Sequence, residues 1–183
     1  MKKLFVVPFI VAVVALSFAP SPKPAAEGGG PLKWMTWAEM QEAQKKEPRK
    51  VFVDVYTDWC GWCKRMDATT FTHPEIISYV NKNFYAIKFD AETKDVINFK
   101  GKDYKYVAQG YRGYNELAAE ILSGQMSYPT GVYLDEKMEQ IFPVPGYQDP
   151  KTFETVINFV ATNSYKTKQW EQYQQTFKGK ITQ

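Results

Sequence analysis

Cys60 and Cys63 are the only two cysteines among the 183 residues, and two residues separate them. A thiolate attacks a disulfide far better than a thiol does. An attacking cysteine therefore needs a lowered pKa and exposure, with a second cysteine in reach to resolve the mixed disulfide. A bridge between these two closes so small a loop that it constrains the unfolded chain little, which makes it a poor staple and a good reversible bond. They stand in the run Trp59-Cys60-Gly61-Trp62-Cys63-Lys64. At the N-terminus of a helix, Cys60 would meet free amides and the positive end of the dipole, and Cys63 would fall one turn on, on the same side. Gly61 lets a partner's backbone come close, while Trp59, Trp62 and Tyr128 offer an apolar docking patch. Asp54 is a lone acid in the apolar run Val51 to Tyr56. Burial raises the pKa of such a carboxyl and suits it to accept a proton from Cys63; the plainer alternative is an acid at a frayed strand end or paired with a lysine.

Other cysteine chemistries fit less well. A zinc site wants four ligands, and His73 is the only other soft candidate. His73 precedes Pro74, which suits a helix cap better than a catalytic base. Covalent haem attachment asks for Cys-x-x-Cys-His, and Lys64 holds the last place. No metal and no cofactor are expected. The formal charge is +3, from 23 basic and 20 acidic residues, and Lys2, Lys3 and Lys23 account for the excess. The remaining body is neutral, without the clustered cations that nucleic-acid binding needs.

The elements that must position the cysteines read as α/β. Between Trp34 and Lys46, Trp37, Met40 and Ala43 fall at helical spacing, with Thr36 as a cap and Pro48 as a stop. Val51 to Tyr56 reads as a strand covered on both faces, and Gly61 to Asp67 as the first turns of a helix after Cys60. Thr72 or His73 caps a second helix, opened by Pro74 and ending around Asn81 to Asn83, and Phe84 to Asp90 is another apolar strand. That order makes a parallel βαβ unit with the cysteines at its strand-to-helix turn. A small hairpin is expected around Lys100 to Asp103, then a helix from Asn115 to Gly124. An antiparallel pair follows, Gly131 to Leu134 and Met138 to Phe142, and a helix opens at Asp149-Pro150. The stripe Trp170, Tyr173, Phe177 reads as a helix packed on its own domain rather than a partner face.

At 183 residues with 44% hydrophobic and 16% aromatic residues, the chain suits one domain with a tail. Met1-Lys2-Lys3, the apolar run Leu4 to Leu16 and the small residues up to Ala26 have the layout of a secretory leader, and the run is short for a membrane span. Cleavage after Ala26 and retention as an anchor both stay open. The organisation expected is a leader or anchor over 1–26, a linker over 27–33, a domain over 34–163 and a helical extension over 164–183. The expected location is the bacterial periplasm.

Val53-Asp54-Val55-Tyr56 through Trp59-Cys60-Gly61-Trp62-Cys63-Lys64 resembles the active-site strand and turn of thioredoxin, including an acid six positions before the first cysteine. Lys64 to Phe71, Ile76 to Asn83 and Lys88-Phe89-Asp90-Ala91-Glu92 are more similar to the exported bacterial thioredoxin-like subgroup and the C-terminal domain of thiol:disulfide interchange proteins. Tyr128-Pro129-Thr130 is similar to the family's cis-proline turn. The resemblance implies a thioredoxin fold, a central mixed β-sheet flanked by helices, with an insertion before the cis-Pro turn and a C-terminal helical extension. It implies an exchange of the Cys60–Cys63 dithiol with protein disulfides, more in the direction of a reductase than of an oxidase. Cys60 would attack, Cys63 resolve and Asp54 move the proton, with Trp59 and Pro129 positioning the partner. Electrons would come from a membrane-embedded interchange protein, and no prosthetic group is implied. Three departures stand out: Gly61-Trp62 replaces Gly-Pro, the stretch from Asp90 to Pro129 is longer, and Ala86 occupies the place of the lysine beside the buried acid, with Lys88 two residues on. The rival from another class is a thioredoxin-like binding or chaperone module that retains the cysteines without turnover.

Overall fold

The fold is given by a computed structural model that describes residues 30–182 together with Met1. The rest of the expected leader and the start of the linker lie outside the described residues. From Pro31 the chain is already tied down. Asn81 accepts from Lys33 N at 2.9 Å and donates to Pro31 O at 3.2 Å, with Leu32 buried between them.

Trp34–Met35, ahead of the Thr36 cap, forms strand β1, because it pairs in parallel with the strand Phe84–Asp90 further on. Helix α1, Trp37–Lys46, starts after it. Thr36 Oγ1 accepts from Glu39 N while the Glu39 carboxylate accepts from Thr36 N, a reciprocal box that satisfies two orphan amides. Strand β2, Lys50–Tyr56, leads through a tight turn into α2, Gly61–Thr69. His73 caps α3, Pro74–Asn83, with Pro74 in its first turn, and the chain continues as β3, Phe84–Asp90.

The stretch before the cis-proline holds two hairpins where the weak alternation suggested one. Strands β4, Ile97–Phe99, and β5, Lys102–Tyr104, form the first; β6, Tyr106–Gln109, and β7, Arg112–Asn115, form the second. Gly113 is required in the second because a Cβ there would collide with Val107 O and the Tyr106 ring. Helix α4, Glu116–Ile121, is capped by Asn115. Strands β8, Thr130–Leu134, and β9, Gln140–Pro145, follow; Met138 lies in the turn with φ +61, so β9 starts two residues later than its sequence suggests. Helix α5, Pro150–Ala161, a 3-10 turn, Ser164–Lys166, and α6, Trp170–Thr176, complete the chain.

The five-stranded sheet has the order β1-β3-β2-β8-β9, with β1, β3 and β2 parallel and β8 and β9 antiparallel. This is the mixed α/β architecture anticipated from the sequence. Alternate residues of β2 serve opposite cores. Val51, Val53 and Val55 pack with Trp37 and Met40 of α1 and Leu117, Ala118 and Ile121 of α4. Phe52 packs with Met66 of α2, Ile76 and Val80 of α3, and Phe153 and Ile157 of α5. Each such side chain contributes about 1.5–3 kcal/mol when buried, so β2 is fixed from both sides. Its C-terminal end, where the cysteine turn begins, inherits that rigidity. Trp170 and Tyr173 pack on Phe159 at 5.4 and 4.8 Å between ring centroids, and Phe177 stacks on Tyr173.

Candidate functional site

Cys60 occupies the N-cap of α2 with extended backbone (φ −74°, ψ 104°), and its Sγ accepts from Cys63 N at 3.1 Å. The two cysteines are joined as a disulfide, with their Cα atoms 5.3 Å apart. No acid lies in the first turn of α2, so nothing there opposes the positive end of its dipole. When the bridge is open, the Cys63 amide and that dipole favour negative charge on Cys60 Sγ. The expected open exposure of Cys60 is corrected: it is 5% exposed and Cys63 2%, because the strand-to-helix turn folds the bridge inward between tall neighbours. Those neighbours are open to solvent, Trp59 at 51% and Trp62 at 57%. A Cβ on Gly61 would meet no atom within 4 Å, so the space over the turn is free.

Trp59 is held from three sides. Its indole N–H donates to Glu92 Oε1 at 3.0 Å, its ring meets Tyr128 edge-on at 5.8 Å, and the Arg112 guanidinium lies 4.3 Å from the ring centroid. Trp62 leans on Tyr147 at 5.4 Å, and Arg65 covers both rings. The Tyr128–Pro129 peptide is cis, and Pro129 immediately precedes β8, whose Thr130 pairs with Val55 of β2. The tyrosine before the proline and the tryptophan before Cys60 are thus in ring contact at one end of the sheet. Burial, followed by the charges of Glu92 and Asp90, pushes the Tyr128 phenol up to about 12, so it stays protonated.

Asp54 is buried in the middle of β2, one turn of chain before the cysteines. Burial pushes its carboxyl up to about 6; Lys88 pulls it back, and the charge of Asp67 adds to the rise. Oδ2 accepts from Lys88 Nζ at 2.6 Å, while Oδ1 is buried with no protein partner. Lys88 also donates to Asp67 Oδ1, and its ammonium lies 4.8 to 5.5 Å from the centroids of Tyr56, Phe71 and Trp34. Burial works against the charge on Lys88, but Asp54 and Asp67 outweigh it and hold the ammonium above its usual range. By the resemblance alone, Asp54 lacks its neighbouring lysine, because Ala86 stands in that place. The register corrects this: β2 and β3 pair in parallel with Asp54 opposite Lys88, so the lysine comes from two residues further along the same strand. Counting both residues back from their strand ends, two before Tyr56 and two before Asp90, would have found it. Nothing in the sequence pointed to Arg112 or Tyr147, which reach the site from distant elements, and Glu92 stood out only as the end of the run from Lys88.

A family model for a thioredoxin-like domain matches residues 37–161. An uncharacterized protein of Caenorhabditis elegans is 25% identical over 148 residues, covering 78% of this chain and 18% of its own length. The chain therefore spans less than a fifth of that curated relative. Among solved structures, a thioredoxin-fold protein from Helicobacter pylori superposes with a TM-score of 0.56 at 19% identity, covering 70% of this chain and 83% of its own. An oxidoreductase called DsbH superposes with a TM-score of 0.51 at 15% identity, over 77% of this chain and 89% of its own. At these identities the likeness is one of fold.

Proposed function

The chain belongs to the thioredoxin-like domain family, and from that premise we propose that it is an exported thiol:disulfide oxidoreductase acting on protein disulfides, working as a reductase. The carrying observation is Cys60 at the N-cap of α2, with the Cys63 amide aimed at its sulfur. In the dithiol form, Cys60 thiolate attacks one sulfur of the partner's disulfide. A Cys60–partner bond forms, the partner's S–S bond breaks, and its first thiolate leaves. Cys63 then loses its proton to Asp54 and attacks Cys60 Sγ, closing the intramolecular bridge and expelling the partner's second thiolate. Two electrons pass from the protein to the partner, and the partner's sulfurs take up two protons. Trp59, Gly61, Trp62, Tyr128 and Pro129 border the approach and position the partner's chain. A second dithiol must reopen the bridge, and a membrane-embedded interchange protein is the donor proposed. Export, to the periplasm, is supported by the residues before Ala26.

The test is alkylation of the reduced protein near neutral pH together with turnover of a protein disulfide. Cys60 should label selectively, and Cys60→Ser should abolish turnover. Equal and slow labelling of both thiols would favour a binding module instead. Direction follows from the reduction potential: a value near −270 mV, that of thioredoxin, fits a reductase, and one near −120 mV fits an oxidase.

A further inference from the structure

The hairpin β6–β7 rises from the same end of the sheet as the cysteine turn. Ala91, just past β3, donates to Tyr56 O at the end of β2 (2.8 Å) and accepts from Asn115 N at the foot of the hairpin (2.7 Å). The buried Asn115 side chain adds bonds to Asp95 O at 3.1 Å and from Leu117 N at 3.0 Å. From that fixed foot, β7 carries Arg112 over the ring of Trp59. Beside Arg112, at the turn where Gly110 takes φ +60, Tyr111 is fully exposed. Among the described residues, Trp59, Trp62 and Tyr111 are the large aromatic side chains most open to solvent. Two of them flank the bridge, and the third stands at the hairpin turn next in the chain to Arg112, whose guanidinium lies on Trp59. Single exposed rings are ordinary, whereas rings gathered around one site mark a contact surface. The rim charges do not favour either sign, since Asp58, Asp90 and Glu92 offset Lys64, Arg65 and Arg112.

Access narrows the choice of occupant. Cys60 is recessed between Trp59 and Trp62, so a disulfide lying flat in a folded surface cannot reach it. A thin, extended stretch of chain passing between Trp59 and Trp62 can. We infer that β6–β7 is a second wall of the docking surface, on which Tyr111 receives a bulky apolar side chain next to the cysteine of an extended, unfolded polypeptide. The inference rests on disulfide exchange at Cys60, and it assigns the added hairpin to the choice of substrate.

The experiment mixes the pre-reduced full chain with three disulfides: the dimer of a Gly-Phe-Cys-Gly peptide, the dimer of a Gly-Ser-Cys-Gly peptide, and hydroxyethyl disulfide as the reference. One aromatic contact is expected to make the Phe peptide react about three- to tenfold faster than the Ser peptide, each relative to the reference. Tyr111→Ser, at a solvent-facing position, should erase that preference. A wild-type protein without the preference, or a preference that survives Tyr111→Ser, overturns the inference while leaving the exchange reading intact. A wild-type dithiol that reduces none of the three disulfides removes the exchange reading and the inference with it.

Discussion

At the scale of single residues, the pH dependence expected of the proposed reaction rests on one buried carboxylate. Asp54 carries its proton in the folded protein up to about pH 6, whereas an unfolded aspartate loses it near pH 4. The folded state therefore binds more protons between those values, and stability falls as pH rises through that window. Above it, the ionised Asp54 costs about 3 kcal/mol at most, from about two units at 1.4 kcal/mol each. Asp54→Asn should accordingly raise stability to urea at pH 8, with the gain shrinking towards pH 4. In pre-steady-state assays of the same variant, release of the partner should slow and lose its rise through pH 6. Lys88→Met removes the cation that holds the carboxyl down, so the midpoint of that rise should move to higher pH. A midpoint unchanged by Lys88→Met would mean that Lys88 does not tune the acid. Of these residues the cysteines and Asp54 were legible from type and spacing alone. Lys88 was visible but misplaced, because its role depends on how two strands align rather than on distance along the chain.

At the scale of elements, sequence reading succeeded where local chemistry decides and failed where pairing does. Thr36, His73, Asn115 and Asp149 each cap the helix that their side-chain type announces, since the bond to the second or third amide is local. Trp34 and Met35, ahead of the Thr36 cap, form β1 because β3 offers them a partner, which no local pattern reveals. The second hairpin was missed for a related reason: β6 and β7 have four residues each, and β6 runs from two half-buried to two exposed residues instead of alternating, so no period-two pattern stands out. Asn115 joins these levels. It ends β7, caps α4 and ties both to the loop after β3. Asn115→Ala should cost about 1–2 kcal/mol in urea unfolding, as for a lost cap, with extra loss from the buried bond to Asp95. It should also speed amide exchange in β6 and β7, whereas exchange in β2 should stay slow.

At the scale of the whole molecule, the C-terminal extension closes the face opposite α1. Glu154 of α5 is buried and accepts from Lys180 N at 2.7 Å and Ile181 N at 3.0 Å, which presses Ile181 into the core beside α5. Gly179 permits this approach, since a Cβ there would collide with the Glu154 carboxylate. Ending the chain after Phe177 should lower stability by about 2–4 kcal/mol through loss of the Ile181 side chain and of two bonds to a charged group, read by chemical denaturation. Thiol labelling of the reduced form should be unaffected, because the hydrogen bonds and ion pair of the tail go to Glu154 of α5 and Glu75 of α3 rather than to the cysteine turn. The outermost strands of the sheet carry a different consequence. One border, β1, is two residues long, and the other, β9, holds Pro143 and Pro145, which have no N–H to offer. Neither margin can serve as a template for an incoming β-strand. A stray extended segment therefore finds no continuous row of free donors along this sheet on which to build an intermolecular ladder.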